Sequence, residues 1–196
     1  MDTMKKKIRV VYQGVREDFY RLKKDYKKNK VLRILFTGTF EIRKGAEYIL
    51  KAMQALDRMQ LSYELIIVGS LDEKINLLKK YPAKNINFVG PVVKSKKMMS
   101  LYDSSKIFIL PSYIEGFPKV ISESLARLRP VIIFEDIKYV THGRKGIFVC
   151  KRNDDSLRKT ITYIFNNYKN IQKKIEKNYF FTKDNFKKEL LTSLKK

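Results

Sequence analysis

Glu115 and Glu123 stand with seven residues between them, just past the apolar run Ile107-Phe108-Ile109-Leu110 and the break Pro111-Ser112. That order places Glu115 on a loop at the end of a strand. Pro118 suits the first turn of a following helix, where its missing N–H costs nothing. Glu123 then falls on the second turn. Two carboxylates and the free N–H groups of a helix N-terminus, with Gly116 and Phe117 between them, face one crevice. This suits a ligand with many hydroxyls and an anionic group, such as a nucleotide-sugar. A carboxylate at position 123 can accept two hydrogen bonds from vicinal ribose hydroxyls. The plainer reading of Glu123 is a solvated side chain or a pair with Arg127, four positions on. Val120, Ile121, Leu125 and Leu128 form the buried face of this helix and leave Glu123 at the crevice edge. Ser122 and Ser124 read as residues that satisfy the helix backbone.

A second group of residues lies in Gly38-Thr39-Phe40-Glu41-Ile42-Arg43-Lys44-Gly45, which joins a strand to a helix. Loop N–H groups, a helix N-terminus and the cations of Arg43 and Lys44 together suit a diphosphate, with Gly38 and Thr39 read as donor-binding residues. The segment matches neither the P-loop pattern nor Gly-x-Gly-x-x-Gly. In a chain this basic, Arg43-Lys44 alone would read as solvated loop cations; their placement with Glu115 and Glu123 makes them site residues. His142 is the sole histidine and reads as a solvated loop side chain rather than an acid or base. Cys150 reads as a small residue at a strand end. No metal-ligand cluster is visible, so neither a metal ion nor another cofactor is expected.

These residues need a scaffold, and the chain spells one. Short apolar strands are expected over Val31–Phe36, Leu65–Val68, Ile86–Val89, Ile107–Leu110, Val131–Phe134 and Gly146–Val149. Helices are expected between them over Ala46–Met59, Asp72–Tyr81, 95–104 (capped by Ser95) and 118–128, and after them over Leu157–Tyr168, with two more helical stretches in the tail. Alternation of this kind implies a doubly wound, Rossmann-like parallel α/β sheet with right-handed crossovers. Gly38, Gly69, Gly90 and Gly116 each follow a strand, on the edge where such sheets bind ligands. Ile8–Tyr12 also reads as a strand, followed by a polar stretch. It looks like the last strand of a domain that is not present. Residues 1–30 are therefore expected to be a remnant and linker, 31–165 the main domain, and 166–196 basic C-terminal helices.

The chain has 196 residues, 43 Lys and Arg against 20 Asp and Glu, a net charge of +23 and one cysteine. One cysteine excludes an internal disulfide framework, and no apolar run approaches a membrane span. Residues 1–33 hold 12 basic against four acidic side chains, and residues 151–196 hold 13 against five, so the excess lies mostly in the flanks. Solvated lysine-rich helix faces account for it; a peripheral contact with an anionic membrane is the alternative. The charge is diffuse and no DNA or RNA recognition motif is visible, so nucleic acid is not the expected partner. The cytoplasm, or its membrane face, is the expected location.

Residues 31–165 resemble the nucleotide-sugar-binding C-terminal domain of GT-B glycosyltransferases, of the glycosyltransferase family 4 (glycosyl transferases group 1) type. The resemblance is carried by Phe36-Thr37-Gly38, Arg43-Lys44-Gly45, Leu65 to Gly69, Phe88-Val89-Gly90, Leu110-Pro111-Ser112, Glu115-Gly116-Phe117 and the Glu115/Glu123 signature, in the family's order and spacing. Val10 to Val15 resembles the link that leaves the family's N-terminal domain. The resemblance implies that Lys44 contacts the diphosphate, Glu115 the sugar and Glu123 the ribose. It implies that the amides of Gly116 and Phe117 bind sugar or phosphate, and it makes Lys44 and Glu115 the catalytic pair. Thr39 stands where many members carry Arg, with Arg43 a substitute for that charge. Pro118 stands where Gly is common, and the Gly-Gly before the last strand is missing.

The implied activity is retaining transfer from a nucleoside-diphosphate sugar to a saccharide or lipid-linked acceptor. The family's acceptor site lies on an N-terminal domain, so a truncated product, a fragment and one half of a split transferase with a partner chain all stay open. The terminal helices near 170–195 resemble those that pack on that domain, and Phe180, Phe181, Phe186, Leu190 and Leu191 are expected to be exposed. A non-catalytic nucleotide-sugar-binding module is the alternative function, ahead of a basic nucleic-acid-binding protein.

Overall fold

The computed structural model describes residue 11 and residues 14–20, 31–71 and 77–194. The strands are β1 (Leu32–Thr37), β2 (Tyr63–Val68), β3 (Ile86–Gly90), β4 (Ile107–Leu110), β5 (Val131–Phe134) and β6 (Ile147–Cys150). They form one sheet in the order β3-β2-β1-β4-β5-β6, and every neighbouring pair is parallel. All four residues of β4 and of β5 are buried, as strands covered on both faces must be. The expected Rossmann-like parallel α/β sheet is the fold of this chain.

The helices among the described residues are α1 (Ala46–Arg58), α2 (Leu77–Lys80), α3 (Ser95–Ser104), α4 (Lys119–Ala126), α5 (Asp154–Ile175) and α6 (Lys183–Leu194). From β1 the chain winds outward to β2 and β3, then returns to the other side of β1 for β4. Right-handed crossovers therefore put α1 and α4 on opposite faces. α1 packs against α5 on one side, burying Ile49, Leu50, Met53 and Leu56. On the other side, α3 and α4 are joined by hydrogen bonds from Tyr102 to Glu123 and from Arg127 to Asp103. The reversal falls between β1 and β4, at the strand ends where a doubly wound sheet takes its ligand.

Some local expectations differ from the structure. Lys94 is the N-cap of α3, and Ser95 is its first helical residue; the Ser95 hydroxyl instead accepts from Arg16. α5 is longer than 157–168 and runs through position 165. Asn153 caps it by accepting from the Ser156 N–H at 2.8 Å, and its apolar stripe continues through Ile171 and Ile175. The expected strand Ile8–Tyr12 lies, Val11 apart, outside the described residues, as does the first half of the helix expected over 72–81.

Phe180, Phe181 and Phe186 are half-buried rather than exposed, whereas Leu190 and Leu191 are exposed. For Phe180 and Phe181 the cause is the segment 14–20, which folds over that part of the tail. The Val15 N–H donates to the Phe181 carbonyl at 2.7 Å, and Tyr20 meets Phe180 edge-on. Among the described residues, no helix is long and apolar enough to cross a membrane.

Candidate functional site

The loops after β1 and β4 touch. Gly45, the N-cap of α1, adopts φ +76, and a Cβ there would lie 2.2 Å from the Pro111 carbonyl oxygen. Only glycine permits that approach. The Tyr113 N–H donates to the Arg43 carbonyl at 3.0 Å and ties the loops a second time. Above this seam Lys44 Nζ donates to Glu115 Oε1 at 2.6 Å, and the two side chains are only 18% and 13% exposed. A charge-assisted bond sheltered to this degree is short and strong.

The Glu115 backbone is held by a residue that the sequence did not mark. Tyr139 lies on the 3-10 segment Glu135–Thr141 after β5. Its hydroxyl accepts from the Glu115 N–H at 3.2 Å and donates to the Glu115 carbonyl. Nothing in the local pattern around Tyr139 signals that contact, because the partners are brought together only by the sheet.

Beside the seam lies a crevice of about 460 Å³ whose walls include Gly38, Gly69, Val92, Tyr102 and Glu123. Glycine turns form its floor. The Gly38 N–H donates to the Val68 carbonyl, the Gly69 N–H donates to the Gly90 carbonyl, and a Cβ on Gly69 would strike the Gly38 oxygen at 2.1 Å. Glu123 lies on the second turn of α4, and its Oε2 accepts from the buried Tyr102 hydroxyl at 3.2 Å. Burial raises the Glu123 carboxyl above its ordinary value, against the Tyr102 hydrogen bond and the charges of Lys119 and Arg16.

The site residues thus fall into two groups: Lys44 paired with Glu115 at the seam, and Gly38 with Glu123 among the walls of the crevice. Arg43 is not joined to either; it is mostly exposed and pairs with Glu41 at 2.7 Å. The Thr39 hydroxyl accepts from Ser70 at 3.2 Å. Gly116 and Phe117 are exposed beyond Glu115. The Arg127 side chain bonds Asp103 and the carbonyls of Phe19 and Tyr20, not the Glu123 carboxylate.

Ser122 accepts from Arg144 Nη1 at 2.6 Å. His142 is exposed, and partial burial and the nearby Arg144 charge lower its pKa. Burial pushes the Cys150 thiol up to about 12, which leaves it inert as a nucleophile. Among the described residues, no three His, Cys, Asp or Glu side chains cluster in a way that could hold a metal ion.

Comparison with known proteins agrees with this architecture. A match to the glycosyl transferases group 1 family covers residues 18–179. An uncharacterized glycosyltransferase of Haemophilus influenzae is 31% identical over 150 residues, which is 71% of this chain and 42% of the relative. The chain therefore spans less than half the length of that relative. Among solved structures, a sucrose-phosphate synthase from Thermosynechococcus elongatus superposes with a TM-score of 0.74 over 95% of this chain and 52% of its own, at 19% identity. Anabaena HepE, solved in complex with UDP, gives 0.72 over 95% of this chain and 57% of its own, at 16% identity. At such identities the structures speak for the fold, one Rossmann-like half of the GT-B architecture. With the family match over most of its length, the chain belongs to the glycosyl transferases group 1 family.

Proposed function

We propose that this chain is the sugar-donor-binding part of a retaining glycosyltransferase that acts on a nucleoside-diphosphate sugar. The observation that carries the reading is the Lys44–Glu115 pair across the β1/β4 seam, with Gly38 and Glu123 lining a crevice at the ends of the same strands. A nucleotide-sugar laid along this edge puts its ribose hydroxyls on Glu123, its diphosphate at Gly38 and Lys44, and its sugar at Glu115 with the amides of Gly116 and Phe117. When the bond from the sugar carbon to the diphosphate breaks, the electron pair stays on the phosphate oxygen. Lys44 offsets the charge that grows there, and in this reading no metal ion is required. Glu123 acts at a distance, because holding the ribose positions the reacting carbon.

The acceptor, a saccharide or a lipid-linked sugar, is held by a second domain or chain, in keeping with the fraction of the relative's length that this chain spans. A peripheral contact of the basic flanks with an anionic membrane face stays the alternative to solvated lysine-rich helix faces. A second reading is a binding module without turnover. Calorimetry with a panel of nucleoside-diphosphate sugars tests the first reading: binding that depends on Lys44 supports it, and affinity unchanged in Lys44→Ala counts against it. Turnover with candidate acceptors separates transferase from module.

A further inference from the structure

The Glu123 crevice has a wall supplied from far away in the sequence. Arg16 and Phe19, on the segment 14–20, line it together with Pro91, Val92, Val93 and Ser95. The segment is firmly seated. Phe19 is buried edge-on against Tyr102 with ring centroids 6.2 Å apart, and Arg127 donates to the carbonyls of Phe19 and Tyr20. From this base the Arg16 side chain reaches the first residue of α3, where Nη1 donates to Ser95 Oγ at 2.7 Å. Its Nε and Nη2 donate to the two Asp18 oxygens at 3.0 and 2.5 Å. A guanidinium carries five N–H donors and no acceptor, so two donors remain beyond these contacts among the described residues.

The placement matters once the ligand is oriented. With diphosphate at the seam and ribose at Glu123, the base lies further along, toward the loop after β3. There the walls are the apolar side chains of Pro91, Val92, Val93 and Met98, while Arg16 and Ser95 bring hydrogen-bonding groups. Asp18 and Ser95 hold the guanidinium fork in one orientation, so little freedom is lost when it meets a ligand.

We propose that Arg16 selects the base of the sugar donor, a reading that rests on the function proposed above. A group that can only donate favours a keto oxygen at position 4 of a pyrimidine or position 6 of a purine, as in uracil, thymine and guanine. Cytosine and adenine carry an amino group there, which sets donor against donor. The sugar donor is then a nucleotide of the keto class.

The test is calorimetry of the full chain with UDP, GDP, CDP and ADP, repeated with Arg16→Ala, Arg16→Gln and Lys44→Ala. UDP or GDP is expected to bind about tenfold or more tightly than CDP and ADP, the discrimination of one well-made contact to a base edge. Arg16→Ala should collapse that gap, and Arg16→Gln, which can both donate and accept, should narrow it. Lys44→Ala should weaken all four ligands alike. A gap that survives in Arg16→Ala, or a full chain that prefers CDP or ADP, overturns the role of Arg16 and leaves the site intact. Failure of all four to bind in a Lys44-dependent way overturns both readings.

Discussion

Lys44 Nζ and Glu115 Oε1 stand 2.6 Å apart although 71 positions separate them in the chain, so each is the other's counter-ion before any ligand arrives. A diphosphate must compete with Glu115 for the ammonium. The two obvious substitutions should therefore act differently. Lys44→Ala removes the cation and should weaken nucleoside-diphosphate-sugar binding by about 1.5–3 kcal/mol, the range of a charge-assisted hydrogen bond. Glu115→Gln frees Lys44 instead. Bare nucleoside diphosphates should then bind as tightly as before or more so, while any preference for the sugar-bearing form disappears. Titrating both ligand types into both variants checks this; parallel losses in the two variants would argue that the pair is merely structural.

The seam beneath the pair makes a second prediction. Gly45→Ala places a methyl group 2.2 Å from the Pro111 oxygen and asks an L-residue to hold φ +76. The loops must part, at a stability cost of about 1–3 kcal/mol or more. Gly116→Ala is the matched control, because a Cβ at Gly116 meets nothing within 4 Å. It should leave stability within about 0.5 kcal/mol. Urea denaturation of the two variants measures both. Equal effects would mean that the close approach at Gly45 is unimportant.

How far the sequence reveals this arrangement depends on what each residue answers to. β4 and β5 are wholly apolar and wholly buried, so run length alone locates them. Lys44, Glu115 and Glu123 are legible because a strand end followed by a helix has a known place in a doubly wound sheet. Tyr139, Arg16 and Arg129 are not legible, because their contacts come from elements far away in the chain. Arg129, in Leu128-Arg129-Pro130, has the look of a polar turn. It is in fact 1% exposed, with Nε donating to the Tyr102 carbonyl at 2.9 Å, Nη2 to the Asp103 carbonyl at 2.8 Å and Nη1 to the Tyr168 hydroxyl at 2.6 Å. Local pattern carries no trace of acceptors that α3 and α5 supply.

Arg129 should accordingly be a stability residue. Arg129→Met keeps much of the volume but removes the three hydrogen bonds to the Tyr102 and Asp103 carbonyls and the Tyr168 hydroxyl; the Tyr102 carbonyl keeps the Ser105 N–H and the Tyr168 hydroxyl keeps Gln172 Nε2. At about 1 kcal/mol net for each of the three hydrogen bonds lost, a destabilisation near 3 kcal/mol is expected. Arg129→Lys should recover only part, because an ammonium cannot reproduce the fork. A denaturation midpoint unchanged in Arg129→Met would show that the network is dispensable. Since α3 also carries Tyr102, which binds Glu123, the loss should loosen the crevice as well.

Glu123 joins stability to binding through pH. Burial raises its carboxyl above the ordinary 4.5, although the Tyr102 hydrogen bond and the charges of Lys119 and Arg16 oppose the shift and Asp18 adds to it. A carboxyl whose pKa is raised on folding stabilises the folded state only while protonated. Its contribution is fully present below the unfolded value and is lost as pH rises through the folded one. At neutral pH the chain therefore carries a charged, half-buried carboxylate at a cost. Glu123→Gln, which can still accept from Tyr102, should make the protein more stable at pH 7. That gain should shrink as pH falls toward and below 4.5. The same variant should bind nucleotide-sugar more weakly, because an amide is a poorer acceptor for two ribose hydroxyls than a carboxylate. In the unsubstituted chain, affinity should fall as pH drops through the raised pKa. Denaturation at pH 7 and pH 4, with titrations at both, reads every arm. A Glu123→Gln variant that is less stable at pH 7 would mean that the carboxylate is held by the fold rather than kept for a ligand.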